Sequence, residues 1–382
     1  MKTLDKIQNC LQENTSLNGI GISNGILGKS LFYYYNYLYT QEEKWLELAI
    51  NIIEDALEML TNEYSSISPQ NDIIETAIYI SFLIKNQVLS NEVEFILNDL
   101  EDLIEEIFNA RIINGDLDGI KGVFAPLQYY LYREKNCTEK LEQVFKIVEQ
   151  NAIVNETEAY WMFNLRSKEN SYVELGFNHG VSGIISFLLD CYIHNVKREE
   201  SEILVNKGLC FLEKQQNKSN TCWFPQTTNK NDFLPYHNLS YGDLGIGFTF
   251  YKAGEILQNN YWRSIGIEIL ENAAQYTDEK ESHIRDANMI YGASGLYSFF
   301  DMMFRLTANK HFKIAKDYWY NNIFQKGNND TVWAGFNTYY NGVYEFAQLG
   351  ISQGILGIGL TLLSKELDIK NEYLNFLNFR KW

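Results

Sequence analysis

Six times along this chain, two glycines three residues apart open an apolar segment of helical length. The pairs are Gly25/Gly28, Gly119/Gly122, Gly180/Gly183, Gly242/Gly245, Gly292/Gly295 and Gly354/Gly357, in strings such as FNHGVSGIISFLL and ISQGILGIGLTLL. They take 12 of the 25 glycines, so an ordinary glycine content is concentrated at one recurring position. The first glycines of the pairs are separated by 94, 61, 62, 50 and 62 residues. The long gap has room for one more unit, and NDIIETAIYISFLI (71–84) falls where a copy without glycines is due. Regular self-similarity of this kind marks a repeat architecture. Each unit is long enough for two helices and their connections.

The segments between the motifs carry the second helix. KWLELAINIIEDALEML places Leu46, Ala49, Ile50, Ile53, Ala56, Leu57 and Leu60 at spacings of three and four, and NEVEFILNDLEDLIEEIF does the same with Val93, Ile96, Leu97, Leu100, Leu103, Ile104 and Ile107. These patterns predict amphipathic helices with a charged outer face. The helices after the glycines are apolar nearly all round and are expected to be buried. One buried helix alternating with one half-exposed helix, seven times, predicts an all-α fold: an α/α toroid, or double-layered barrel, of seven helical hairpins. Only 4 prolines suit such a chain, because Pro inside a helix is costly. No Pro-, Gly- or Ser-rich linker divides it, so 1–382 reads as one domain. The glycines are expected where inner helices begin, close to one another, where a Cβ would collide. Those helix N-termini, and the polar residues of the motifs, are expected to face a central cavity. The only strand reading is a short hairpin within 160–176, turning at Ser167 to Asn170.

Charge and cysteine content narrow the function. A formal net charge of −17 opposes nucleic-acid phosphates and anionic membranes. Five cysteines with no C-x-x-C pair argue against a disulfide framework and a thiolate zinc knuckle. The N-terminus MKTLDKIQNC has no apolar signal region, and no uncharged apolar run is long enough to span a bilayer. A cytoplasmic enzyme or binding protein, with no nucleic acid and no membrane insertion, is the expectation.

The motifs resemble those of the lanthionine synthetase C-like (LanC-like) family, over most of the chain from Leu17 to about Phe376. FNHGVSG, with Gly176 before it, is similar to the family's G-x-x-H-G-x-x-G box; LSYGDLG and MIYGASG are similar to its W-C-Y-G-x-x-G and L-C-H-G-x-x-G boxes. The resemblance implies the toroid, a ribosomally made precursor peptide as partner, and addition of a substrate Cys thiol to a dehydroamino acid. In family members that cyclise lanthipeptides, the Cys of the second box and the Cys-His of the third hold zinc, which binds that thiol. Here the three positions are Ser240, Ile290 and Tyr291. A neutral hydroxyl, a hydrocarbon and a phenol do not make a zinc donor set, so no metal or other cofactor is expected. His237, His283, Asp286, His179 and Cys222 are the groups near these boxes from which a replacement site would have to be built; as spaced, they read as ordinary loop residues.

What remains is a proton-transfer set. The resemblance implies that His179 exchanges protons with the substrate, and a phenol at Tyr241 can donate to a developing oxyanion. Asp116 and Asp118 lie near the family's acidic residue, with Asp116 taken as the catalytic one. Asn178, Ser240, Asp243, Tyr291 and His237 are candidate substrate-binding residues. Two readings stay open: a zinc-independent cyclase or other peptide-modifying enzyme, and a non-catalytic scaffold that holds a precursor peptide for a dehydratase partner. A third, an α/α-toroid glycoside hydrolase, would pair Asp116 or Asp118 with Asp243 or Asp286. GILGKS (25–30) ends like a phosphate loop but has Ser23 where the loop's first Gly belongs, so an NTPase is not expected.

Overall fold

The computed structural model describes residues 2–14, 16–162, 172–229, 237–277 and 283–380. The chain groups into two compact units, one formed by 1–104 with 284–379 and the other by 105–283 with 380–382. The first contains α1 (Lys2–Glu13), α2 (Ile26–Thr40), α3 (Glu43–Met59) and α4 (Pro69–Lys85). Helix α5 (Glu94–Asn114) begins in this unit and ends in the second. The second unit continues with α6 (Phe124–Arg133), α7 (Cys137–Asn151), α8 (Val181–Ile193), α9 (Arg198–Lys214), α10 (Asp243–Ile256) and α11 (Asn260–Gln275). The first unit resumes with α12 (Ala293–Thr307), α13 (Lys310–Lys326), α14 (Glu345–Leu349), α15 (Ile355–Glu366) and α16 (Tyr373–Phe376). Strands β1 (Ile153–Val154) and β2 (Ala159–Tyr160) form a two-residue antiparallel ladder. The hairpin expected within 160–176 has its turn outside the described residues.

The two helix types follow their sequence patterns. Helix α3 buries Ala49, Ile53 and Ala56, as its stripe requires, and adds Trp45. Helix α5 buries Leu97, Leu100, Ile104, Ile107 and Phe108, while Leu103, about a quarter turn off that line, stays exposed. The helices that follow glycine motifs are buried nearly all round; α10 is buried without interruption from Asp243 to Gly254. In the second unit α8 packs on α9 and α10 on α11, and α8 and α10 pack on each other. In the first, α2 packs on α3 and α12 on α13, and α15 touches both α2 and α12. The glycine-less copy, α4, is likewise buried along its length.

Four of the motifs are closed backbone loops. The N–H of the residue after the loop glycine donates to the carbonyl six residues before that glycine: Ile26 to Gly19, Val123 to Asp116, Val181 to Glu174 and Ala293 to Asp286, at 2.9–3.1 Å. This closure gives several of the glycines a second reason beside the expected crowding between neighbouring motifs. A Cβ on Gly180 would sit 2.5 Å from the Gly176 nitrogen and 2.6 Å from the Glu174 oxygen, both in its own loop, and the same holds for Gly25 against Gly21 and Gly19. For these glycines the crowding lies within their own loop, whereas a Cβ on Gly245 would meet the Phe177 side chain of the neighbouring motif.

The closure also corrects the register of the third motif. Gly122, not Gly119, occupies the place of Gly25, Gly180 and Gly292, and Ala125 stands where the second glycine would be. Gly119 lies inside the loop, where its N–H donates to the Asn178 carbonyl at 2.8 Å and its missing Cβ admits that backbone.

Candidate functional site

Counting from the loop glycine gives every motif the same two special positions. The residue just before it is Asn24, Lys121, His179, Tyr241, Tyr291 or Gln353, and each is at least partly exposed; in the Lys121 loop Asp116 and Ile120 are exposed as well. The residue four before it is Gly21, Gly176 or Gly350 in three loops, and Asp118, Asn238 or Asn288 in the other three. Those three side chains do one common job. Asp118 Oδ1 accepts the Ile120 and Lys121 N–H groups at 2.8 and 2.7 Å. Asn238 Oδ1 accepts those of Ser240 and Tyr241 at 2.9 Å, and Asn288 Oδ1 that of Tyr291 at 2.8 Å. Asn therefore suffices to hold such a loop, and only Asp118 brings a second carboxylate oxygen.

That oxygen reaches His179. Asp118 Oδ2 lies 2.6 Å from His179 Nδ1, across two loops already joined by the Gly119–Asn178 backbone bond. Asp118 is fully buried, and His179 keeps an exposed edge of 15%. Burial pushes the Asp118 carboxyl upward, but the His179 hydrogen bond and charge, with the Lys121 and Ile120 N–H groups, hold it below the usual carboxylate range. An ionised Asp118 accepts a hydrogen bond from Nδ1–H, which leaves the lone pair of the neutral ring on Nε2. The Tyr241 ring stands 5.9 Å from the His179 ring, centroid to centroid. Beneath the loop, the buried Arg111 donates Nη1–H to the Gly122 carbonyl at 3.0 Å. This arrangement is an oriented proton donor–acceptor with a phenol beside it.

The first backbone amides of α2, α8 and α12 are bonded to loop carbonyls and not available to a ligand. In α8, the Val181 and Ser182 N–H groups donate to the Glu174 and Leu175 carbonyls. The expected role of the helix N-termini therefore passes to the side chains displayed beside them.

The remaining candidates are distributed as follows. Asp116 is exposed, and its Oδ1 accepts the Asp118 N–H at 3.0 Å; it supports the loop, while Asp118 makes the contact with His179. Asn178 is buried and offers its carbonyl to Gly119. Ser240 is buried behind Tyr241. Asp243 points inward, its oxygens accepting the Trp223 and Phe224 N–H groups at 2.8 and 3.0 Å, and burial pushes its pKa up to about 7. His237 is buried against the Tyr276 ring, 5.7 Å between centroids, and burial lowers its pKa to about 4, so it is neutral. Its Nδ1 is 3.6 Å from the Cys222 sulfur, whose thiol is held protonated by burial. In the other unit, Tyr291 packs its ring on Tyr340 at 4.4 Å. Asp286 is buried there, accepting from Asn288 and the Tyr339 N–H. Asp243 and Asp286, the second carboxylates named for the glycoside hydrolase reading, are thus both buried and hydrogen-bonded to protein groups.

The residues at the family's three zinc positions do not fit the metal. Ser240 supplies a neutral hydroxyl, Ile290 no donor, and Tyr291 a phenol. Among the described residues, no group of three or more His, Cys, Asp or Glu side chains is placed to hold a metal ion. Cys222 and His237 meet only as a pair.

The fold and its repeated loops are those of one family. The chain belongs to the lanthionine synthetase C-like proteins: the model of "Lanthionine synthetase C-like protein" matches residues 16–377. Among solved structures, nisin cyclase matches with 18% identity over 98% of this chain and 95% of that one, at a TM-score of 0.73. The α/α-toroid class expected from the repeat is the fold of that relative. D-mannose isomerase matches at 11% identity over 71% of this chain and 72% of that one, with a TM-score of 0.43. Cellobiose 2-epimerase from Bacillus thermoamylovorans B4167 matches at 11% over 97% and 100%, with a TM-score of 0.41. Neither of these last two bears on function. No curated protein sequence matches. No helix among the described residues is long and apolar enough to cross a membrane.

Proposed function

We propose that this protein modifies a ribosomally made precursor peptide in the cytoplasm, adding a Cys thiol to a dehydrated residue without a resident zinc ion. The observation that carries the reading is the Asp118–His179 contact at 2.6 Å, made by a carboxylate where asparagine suffices in two sister loops. Membership of the LanC-like family supports the substrate class.

The chemistry is a net addition and needs no oxidant. His179 Nε2 takes the proton of the substrate thiol. The sulfur forms a bond to the β-carbon of dehydroalanine or dehydrobutyrine, and the C=C pair moves onto the α-carbon and its carbonyl. Tyr241 donates to the oxygen that gains charge. The imidazolium then returns its proton to the α-carbon, and Asp118 stabilises the imidazolium between the two transfers. A free thiol with a pKa near 8.5 is only a few per cent ionised at pH 7, so an oriented base supplies part of what a metal otherwise provides. Holding thiol and acceptor together supplies several kcal/mol more. The dehydrated substrate has to come from a dehydratase, which makes such an enzyme the expected partner.

The test is thiol consumption in a dehydrated, Cys-containing precursor encoded beside this protein. Loss of free thiol with the parent and not with His179→Ala supports the reading. Tight peptide binding with the thiol intact would replace it with the scaffold.

A further inference from the structure

Thiol addition puts negative charge on the substrate twice, on sulfur and then on the enolate oxygen. With no zinc donor set, the His179 imidazolium and the Tyr241 hydroxyl face that charge, and a fixed cation beside them would stabilise it further. The first α8 amides are bonded to loop carbonyls, and Arg111 is buried beneath its loop, bonded to Gly122. The repeat shows where a free cation stands. The position just before the loop glycine is His179 in one loop and Tyr241 in the next; in the loop that carries Asp118 it is Lys121.

Lys121 is tied to the same carboxylate as His179. Its backbone N–H donates to Asp118 Oδ1 at 2.7 Å, while His179 Nδ1 lies on Asp118 Oδ2 at 2.6 Å. The two loops are further joined by Gly119 N–H and the Asn178 carbonyl. The Lys121 side chain is exposed and makes no hydrogen bond or ion pair with any described residue. Lys140 and Lys252 of this unit are held in ion pairs, with Glu105 and Asp190; Lys146 is exposed like Lys121, and what sets Lys121 apart is its place in the loop that Asp118 holds. An unpaired ammonium on a loop held by a buried carboxylate is available to a ligand at little desolvation cost.

We propose that Lys121 is the cationic member of the His179 site, where its ammonium faces the oxyanion formed on the peptide during thiol addition. It rests on the functional reading above for the reaction but not for the placement. Attack of sulfur on the β-carbon sends the C=C pair to the carbonyl oxygen, Lys121 lies against that oxygen without giving up a proton, and the charge returns to the α-carbon when His179 protonates it. The role is electrostatic, so arginine should serve and a neutral chain of equal length should not.

Two measurements test it. In the thiol-consumption assay, Lys121→Met should lower kcat about tenfold to a hundredfold with KM nearly unchanged, and Lys121→Arg should recover most of it. Lys146→Met, on the exposed face of α7, serves as control and should leave kcat alone. Independently of turnover, the dehydrated precursor should protect Lys121 of the parent protein from acetylation by an amine-reactive reagent, read by mass spectrometry, while Lys146 stays reactive. Parental kcat in Lys121→Met, or equal labelling of Lys121 with and without peptide, overturns the proposal. If the parent consumes no thiol yet the peptide shields Lys121, the addition reaction is wrong and the placement of Lys121 stands.

Discussion

The Asp118→Asn substitution separates the two jobs of that side chain. The amide oxygen of Asn can still accept the Ile120 and Lys121 N–H groups, as Asn238 and Asn288 do in their loops. The loop should survive, with a change in stability near pH 7 within about 1 kcal/mol. What is lost is the carboxylate at 2.6 Å from His179 Nδ1. An amide there donates to Nδ1, places the imidazole proton on Nε2, and removes the base that faces the substrate. A charge-assisted hydrogen bond of this kind contributes roughly 1.5–3 kcal/mol. At about 1.4 kcal/mol per factor of ten, kcat for thiol consumption should fall roughly 10- to 150-fold. Thermal denaturation and turnover of the same preparation give the comparison. Because the folded carboxyl of Asp118 lies below its usual range, its contribution to stability is present above about pH 4 and is lost as pH falls through the folded value. A parental kcat in Asp118→Asn would refute the assignment of Asp118 as the residue that orients His179. A large loss of stability would refute the equivalence of the three loops.

Gly180→Ala forces a Cβ to within 2.5 Å of the Gly176 nitrogen and should destabilise the fold by about 3 kcal/mol in chemical denaturation. Gly115→Ala is the contrast: it carries φ +63° but meets only Ile147 at 3.9 Å, so its cost should be about 1 kcal/mol. His237, held neutral with a pKa near 4 by burial, is protonated in the unfolded chain first as pH falls. Stability should therefore drop from about pH 6.5 to pH 4, by up to about 3 kcal/mol from this residue. His237→Phe, which keeps the packing on Tyr276, should remove that part of the pH dependence in urea titrations.

The repeat was legible because glycine spacing and helical periodicity are local signals. The six glycine pairs locate the starts of the buried helices, and five are in register with the observed loops. The third failed because Asp118–Gly119 mimics the motif three residues early, and only the backbone closure from Val123 to Asp116 distinguishes the two registers. His179 and Tyr241 stood out because their boxes resemble a family's. Lys121 did not, although its signal was present: counted from Gly122, it occupies their position. The inward turn of Asp243 and Asp286 and the Cys222–His237 contact depend on chain segments brought together by folding, and no local pattern encodes them.

The central claim is metal-independent thiol addition that depends on His179. It is tested most directly by counting alkylatable thiols, by mass spectrometry, in a dehydrated precursor after incubation with protein dialysed against a chelator. The account predicts that free thiol disappears at the same rate with and without the chelator, and persists with His179→Ala. Thiol loss that stops on chelation and returns with added zinc would contradict it.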